Sequence, residues 1–347
     1  MVLKERRLWL AVFLLFAIAS CNSTPVSSPK QFSRVSSGTT NCRTIEHQMG
    51  TTEVCGRPEK IVVLGSSLLE ALLALGMQPA GFADRIPFHR GNYDNPRAQI
   101  PYLGSQITGQ PANLGLDYNP SIEAILKTQP DLIVGTEANR SHYQTLSKIA
   151  PTLLFKRFDS KTSLRAIAQA TEQTERADQL LAQTEQQIAE GRAALTAVAV
   201  TQPRVLMLVS SSAQEFYLIS HTNSVCGSLI DDLGFQLVYP PGLSEADLER
   251  PSPLSLEVLP QLNDADSIIL LAYDWDNFQG TDRFEDNQLQ TLKQVWKQNA
   301  IAQSLKASKA GRVYFMPAYL CLGLPGPIGT ELYLNELEKQ LLPPESI

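Results

Sequence analysis

Residues 119–134 read NPSIEAILKTQPDLIV, and residues 252–270 read SPLSLEVLPQLNDADSIIL. Each stretch carries a proline, then an apolar residue and a glutamate, then spaced Leu/Ile, then an aspartate ahead of a run of Ile, Leu and Val. The aspartate follows the glutamate by eight residues in the first copy (Glu123, Asp131) and by nine in the second (Glu257, Asp266), so the register is close but not identical. The pattern predicts a short amphipathic helix turning into a buried parallel strand, twice. Two similar units far apart in one chain predict two similar lobes. A cleft between two α/β lobes is where a small ligand sits.

The segments around each copy follow the same alternation. Ahead of the first, KIVVLG reads as a strand, LLEALLALG as a helix opened by Ser66-Ser67 and stopped by Gly76, and MQPAGFAD as a second strand ending at Asp84-Arg85. Residues 86–119, rich in Gly, Pro, Asn and Tyr, read as a loop. A helix around 141–149 and the strand TLLFKRF follow. Ahead of the second copy, RVLMLVSSS and FYLIS read as strands, a helix spans about 224–233, and FQLVYPPG mirrors MQPAGFAD. After it come helices over about 286–308, the strand RVYFMP, a loop AYLCLGLPGPIG and a closing helix TELYLNELEKQLL.

Between the two halves, residues 162–200 hold no proline and no strand signal. Ile167, Leu181, Ile188 and Leu195 are spaced by multiples of seven and share one face. The spacing predicts a short helix to about 171 and a long one over about 175–198, roughly 35 Å at about 1.5 Å per residue. That length reaches across the back of both lobes. The expected division is a leader over 1–20, a flexible tether over 21–40, an N-terminal lobe over 41–159 that includes a hairpin at 42–55, a connecting helix over 160–200, and a C-terminal lobe over 201–347.

The ends and the composition bound the function. Lys4, Arg6 and Arg7 precede an apolar run from Leu8 to Ala19, which is too short to span a bilayer comfortably and reads as a secretory signal. Ile18-Ala19-Ser20-Cys21 resembles a bacterial lipobox, which implies cleavage before Cys21 and lipid on that residue. The Ser/Thr/Pro-rich stretch 22–40 reads as a tether. The net charge of −6 becomes about −8 once the signal is removed, because three bases leave with one acid. An acidic chain argues against a nucleic-acid partner.

Beyond Cys21, four cysteines remain: Cys42, Cys55, Cys226 and Cys321. An even number in an exported chain suggests bridges. Cys42 and Cys55 bracket two alternating segments around Met49-Gly50, a hairpin whose base a bridge would close at roughly 3 kcal/mol. That pairing leaves Cys226 and Cys321 as a second bridge or as two buried thiols. There is no CxxC, and His47, His89, His142 and His221 show no ligand spacing, so no metal ligand set is expected.

Taken in order, RPEKIVVLGSSLLEALLALGMQPAGFAD, NPSIEAILKTQPDLIVG, SLEVLPQLNDADSIILL and GRVYFMPAYLCLGLPGPIGTELYLNELEKQL resemble the periplasmic substrate-binding components of iron–siderophore, haem and vitamin B12 ABC importers. The resemblance covers about 57–342. With the tether, the cysteine hairpin and YLGSQITGQPANLG, it is nearest to iron–siderophore binders of the cyanobacterial type. It implies an α/β fold of two Rossmann-like lobes joined by a single long helix, the class III periplasmic binding protein architecture, with ligand in the cleft and little hinge motion. It implies a monomeric, periplasmic, membrane-anchored lipoprotein that captures a ferric siderophore and delivers it to an ABC permease dimer with its ATPase. The family's docking glutamates fall on Glu123 and Glu257, where a helix N-terminal acid also meets the helix dipole. Haem or cobalamin is the alternative ligand of the same importer class.

A ferric siderophore brings its own metal ligands, so no cofactor is expected. The cleft needs cationic donors for anionic oxygens and aromatic walls for the chelator's frame. Candidates at strand ends and in the following loops are Ser66, Arg85, Tyr102, Asn139 and Arg140 in the first lobe, and Tyr217, Arg250, Tyr273, Trp275 and Tyr319 in the second. For haem, Tyr319 or Tyr273 offers an axial oxygen. An enzyme is the competing class, yet GxGxxG, the Walker A loop and GxSxG are missing from the sequence. GSS at 65–67 and SSS at 210–212 read as capping serines. A surface adhesion lipoprotein is the remaining alternative, and the paired lobes and twin acids argue against it.

Overall fold

The computed structural model describes residues 41–86, 89–210, 215–222, 224–249, 252–272 and 284–343. The leader, the tether and Cys21 therefore lie outside the described residues. No described helix is long and apolar enough to cross a membrane.

The chain enters through an antiparallel hairpin, β1 (Cys42–His47) and β2 (Gly50–Cys55), closed at its base by the Cys42–Cys55 disulfide. Ile45 and Val54 turn inward into the first core and are fully buried. The first sheet holds β3 (Ile61–Leu64), β4 (Pro79–Asp84), β5 (Ala112–Leu116), β6 (Asn119–Pro120), β7 (Leu132–Thr136) and β8 (Thr152–Phe155), in the order β6-β5-β4-β3-β7-β8. All its pairings are parallel except β5 with β6. β5 falls inside the stretch expected to be loop. Its ANLGL run is short, glycine-containing and only partly buried, so it carries too little alternation to be read as a strand.

The second sheet holds β9 (Arg204–Ser210), β10 (Phe216–Leu218), β11 (Gln236–Leu237), β12 (Ser252–Leu254), β13 (Ser267–Ala272) and β14 (Val313–Pro317), along the path β12-β10-β9-β13-β14. β13 runs parallel to β9 and β14. β10 is antiparallel to β9 and shares that edge with the short parallel β11. The mirror of β4 was expected to run through FQLVYPPG, but β11 keeps two residues of it. Pro240-Pro241 lack the N–H groups that would extend the ladder.

The repeated phrase does the same local work in both halves. Ser121 caps the Ile122–Thr128 helix, and Ser255 caps the Leu256–Leu262 turn, in each case by accepting a backbone N–H. The second copy is a 3₁₀ helix rather than the expected α-helix, because Pro260 inside it removes a donor and clashes with the preceding turn. The repeated aspartates clamp strands. Asp131 accepts the amides of Glu59 and Lys60, both at 2.9 Å, just ahead of β3. Asp266 accepts the amide of Arg204 at 3.2 Å, at the start of β9.

Helices Ser160–Thr171 and Thr174–Thr201 lie between the two sheets in the chain. The second spans 28 residues, about 42 Å at about 1.5 Å per residue. The closing helix, Pro327–Leu341, packs along it and buries Tyr333, Leu334 and Leu337 in the second lobe's core. Alternate strand residues face opposite layers: Ile61 and Val63 point to one core of the first sheet, Val62 and Leu64 to the other.

The segment after β14 joins the two lobes. Tyr319–Gly323 forms one turn of π-helix, where a loop was expected. Tyr319 and Leu324 are buried in the first lobe's core, while Leu320 and Cys321 are buried in the second's. Cys321 is bridged to Cys226 of the helix Val225–Asp232, the second of the two disulfides.

Candidate functional site

In open parallel sheets, ligands sit outside the carboxyl ends of strands, where the strand order reverses. The first sheet reverses between β3 and β7, the second between β9 and β13. At the first point the chain leaves β3 through Gly65, whose φ of 123° is open only to glycine. Ser66 then starts the helix Ser66–Ala74. The ends of both sheets meet here, because Tyr319, two residues beyond β14, donates its phenol to Asp84 Oδ2 at 3.2 Å, at the end of β4.

A connected network grows from that contact. Asp84 Oδ1 accepts the Arg85 amide at 2.7 Å. Arg85 Nε donates to Asp117 Oδ2 at 3.3 Å. The Asp117 carbonyl accepts Asn139 Nδ2, and Asn139 Oδ1 accepts the Thr136 amide at 3.0 Å. Ser66 Oγ donates to the Gly323 carbonyl at 3.0 Å. Arg157 Nη2 donates to the Leu322 carbonyl at 3.1 Å. The Tyr102 ring stacks on Tyr319 at 5.8 Å and packs against both cores.

Burial sets the charge state of this floor. Asp84 is pushed up to about 7, first by burial and then by the Asp117 charge, against the pull of the Arg85 amide, Tyr319 and Arg157. Burial and the neighbouring Asp84 push the Tyr319 phenol well above its usual range. Asp117 Oδ1 is buried and accepts no hydrogen bond among the described residues. Arg85 remains one-third exposed at its side chain, with Asp117 as its ion-pair partner and the Tyr118 ring 6.0 Å away.

Of the residues singled out in the sequence, Ser66, Arg85, Tyr102, Asn139 and Tyr319 come together at this point. They take different parts. Arg85 presents part of its side chain to solvent. Ser66 and Tyr319 are buried and hold the two lobes to each other, and Asn139 is buried with both ends of its amide committed to Thr136 and Asp117. Arg140 is exposed on the following turn. Tyr217 lies on β10 with its phenol donated to Glu215 at 3.1 Å. Arg250, Tyr273 and Trp275 lie outside the described residues.

Asp84, Asp117 and Arg157 belong to the network and were not singled out. Asp84 is the last residue of β4, directly before Arg85, and Asp117 follows β5. The four histidines are occupied locally: His47 with Thr52, His89 with Asn92, His142 with Ser141 and His221 with Tyr239. Among the described residues, the only cluster of three potential metal ligands is Cys42, Glu53 and Cys55, whose sulfurs are bonded to each other. Glu123 and Glu257 are both exposed, each in the first turn of its helix. Glu123 pairs with Lys127 at 2.8 Å. A separate cavity of about 320 Å³ lies between the helices Ser160–Thr171, Thr174–Thr201 and Val225–Asp232 and the turn Pro325-Gly326-Pro327.

Two α/β lobes meeting at the carboxyl ends of their strands over a tyrosine-paired floor define a two-lobed, ligand-binding protein of the class III type. The chain belongs to the periplasmic binding protein family, whose description matches residues 61–320. It is 27% identical over 351 residues to the probable siderophore-binding lipoprotein YfiY of Bacillus subtilis, covering 98% of this chain and 99% of the relative. It is 30% identical over 280 residues to the Fe(3+)-citrate-binding protein YfmC of the same organism, covering 78% and 77%. Its fold resembles Staphylococcus aureus SirA, solved with staphyloferrin B, with a TM-score of 0.69 and 23% identity over 86% of this chain and 98% of that one.

Proposed function

We propose that this protein is the substrate-binding component of an ABC importer and that it captures a ferric siderophore between its lobes. The observation that carries the reading is the family match across both sheets, joined to relatives named for siderophore and ferric citrate. The iron is cargo: the chelator's oxygens satisfy it, and the protein needs only to hold the complex. Arg85 is the described cation placed to meet an anionic chelator oxygen at the end of β4, and Tyr102 gives the floor an aromatic face. Asn139 supports this wall by fixing Asp117, and Asp117 in turn orients Arg85. Arg140, Tyr217, Arg250, Tyr273 and Trp275 would complete the walls. Glu123 and Glu257, exposed in equivalent turns, would meet cationic residues of a two-fold permease. Lipid on Cys21 would hold the protein at a membrane surface.

Haem and cobalamin are the lesser alternative, because the relatives above are named for siderophore and ferric citrate. The test is fluorescence titration of the lipid-free protein with ferric citrate, ferric hydroxamates, ferric catecholates, haemin and cyanocobalamin, corrected for inner-filter loss. Saturable quenching at sub-micromolar concentration by one ferric chelate is the expected result. Saturation by haemin or cyanocobalamin alone would move the substrate, and no response to any of them would overturn the reading.

A further inference from the structure

Glu70 sits in the middle of the helix Ser66–Ala74, among leucines and alanines, and is fully buried. A lone acid in such a run needs a partner, because burying an unpaired polar group costs more than burying an apolar one. Its partners lie at the start of the closing helix, 256 and 259 residues further along the chain. Glu70 Oε2 accepts the Gly326 amide at 2.8 Å, and Oε1 accepts the Gly329 amide at 2.6 Å.

Those amides open the closing helix. A helix leaves its first N–H groups unbonded within itself, and here Gly326 at the N-cap supplies no side-chain bond. The cap comes from Glu70 of the first lobe's helix Ser66–Ala74, and the capped helix goes on into the second lobe's core. A Cβ at Gly326 would lie 3.0 Å from the Glu70 carboxylate, so a larger residue there would push the carboxylate back by a few tenths of an ångström. The helix it caps buries Tyr333, Leu334 and Leu337 in the second lobe. The turn before it is bridged to that lobe through Cys226–Cys321.

The main chain passes from the first sheet to the second once, through the helices Ser160–Thr171 and Thr174–Thr201. Without a second attachment, the lobes would swing about that connection. We propose that Glu70 is the lock on the lobe–lobe angle, a buried carboxylate that pins the closing helix, and with it the second lobe, to the first. Ser66, Tyr319 and Arg157 add further bonds to the same segment. Glu70 differs from them in taking two backbone amides of the closing helix on one carboxylate. The lock holds whatever the ligand is, so its test needs none.

Spin labels on Lys148→Cys and Lys309→Cys, both exposed and one in each lobe, report the inter-lobe distance distribution by pulsed electron resonance in the intact protein. Glu70→Gln replaces one acceptor with an NH₂ group facing a backbone N–H, and Glu70→Ala removes both acceptors. Each should broaden the distribution at least twofold. Ile268→Ala, buried in the second lobe's far core, serves as a control that loses stability without touching the junction. It should leave the width unchanged. An unchanged width in Glu70→Gln would overturn the proposal, as would equal broadening in Ile268→Ala. If Glu70→Ala does not fold, Glu70→Gln decides alone.

Discussion

Tyr319 and Asp84, 235 residues apart in sequence, are joined by one hydrogen bond from phenol to carboxyl where the two sheets end. Removing the phenol leaves Asp84 Oδ2 buried without this donor. Tyr319→Phe keeps the stacked ring and should lower the unfolding free energy by about 1–3 kcal/mol. Urea denaturation checks it, and an unchanged midpoint would show that the bond contributes nothing net.

Stability should fall as pH rises through neutrality. Burial raises Asp84 from 3.8 to about 7 and Glu70 from 4.5 to about 7. Carboxyls whose folded-state pKa lies above the unfolded value stabilise fully below that lower value, and the contribution is lost as pH climbs through the folded one. Asp84→Asn should therefore flatten the decline between pH 4 and pH 8, by up to roughly 4 kcal/mol. Parallel curves for the variant and the parent protein would count against a buried, protonated Asp84.

The two disulfides should differ in weight. Cys42–Cys55 closes 13 residues and Cys226–Cys321 closes 95. Chain entropy predicts losses of roughly 3 and 4.5 kcal/mol when each pair is replaced by serine. The second replacement also slackens the turn that joins the lobes. Denaturation of the two double variants orders them, and a larger loss from the hairpin pair would contradict the loop-length argument.

Arg85→Ala should weaken an anionic ferric chelate about tenfold to a hundredfold, the range for a lost hydrogen bond to a charged group. It would also leave Asp117 without its cation. Arg85→Lys should recover part of the affinity, since a point charge replaces a fork. Unchanged affinity in the alanine variant would remove Arg85 from the site.

Glu123→Arg with Glu257→Arg should abolish uptake by cells and leave ligand affinity and melting temperature as they were. Both side chains are exposed, and the Glu123–Lys127 pair is the surface kind that contributes little. Normal uptake by the double variant would refute the docking role.

Much of this was legible in the sequence because it rests on local pattern. The repeated phrase announced β7 and β13, and proline-free helical spacing announced Thr174–Thr201. The hairpin bracketed by Cys42 and Cys55 carried its own register. What escaped depended on partners far away. β5 lacks alternation and is a strand only because β4 lies beside it, and Pro260 and the Pro240-Pro241 pair broke a symmetry that the apolar pattern suggested. Glu70 stood in plain view as the one acid within LLEALLALG, but its meaning depended on Gly326. Ser66 and Tyr319 stand out in the sequence by following a strand, whereas their work of joining the lobes cannot be read from position alone.

The lateness of the closing turn has a consequence for how the chain is completed. Glu70 waits 256 residues for Gly326, and Asp84 waits 235 for Tyr319. A chain made from its amino end folds domain by domain as it emerges. The first lobe is therefore formed before either carboxyl meets its partner, and the arrival of residues 319–329 supplies both partners at once. Chains truncated before residue 326 should lack the Glu70 cap and be open to proteases that spare the chain carrying it.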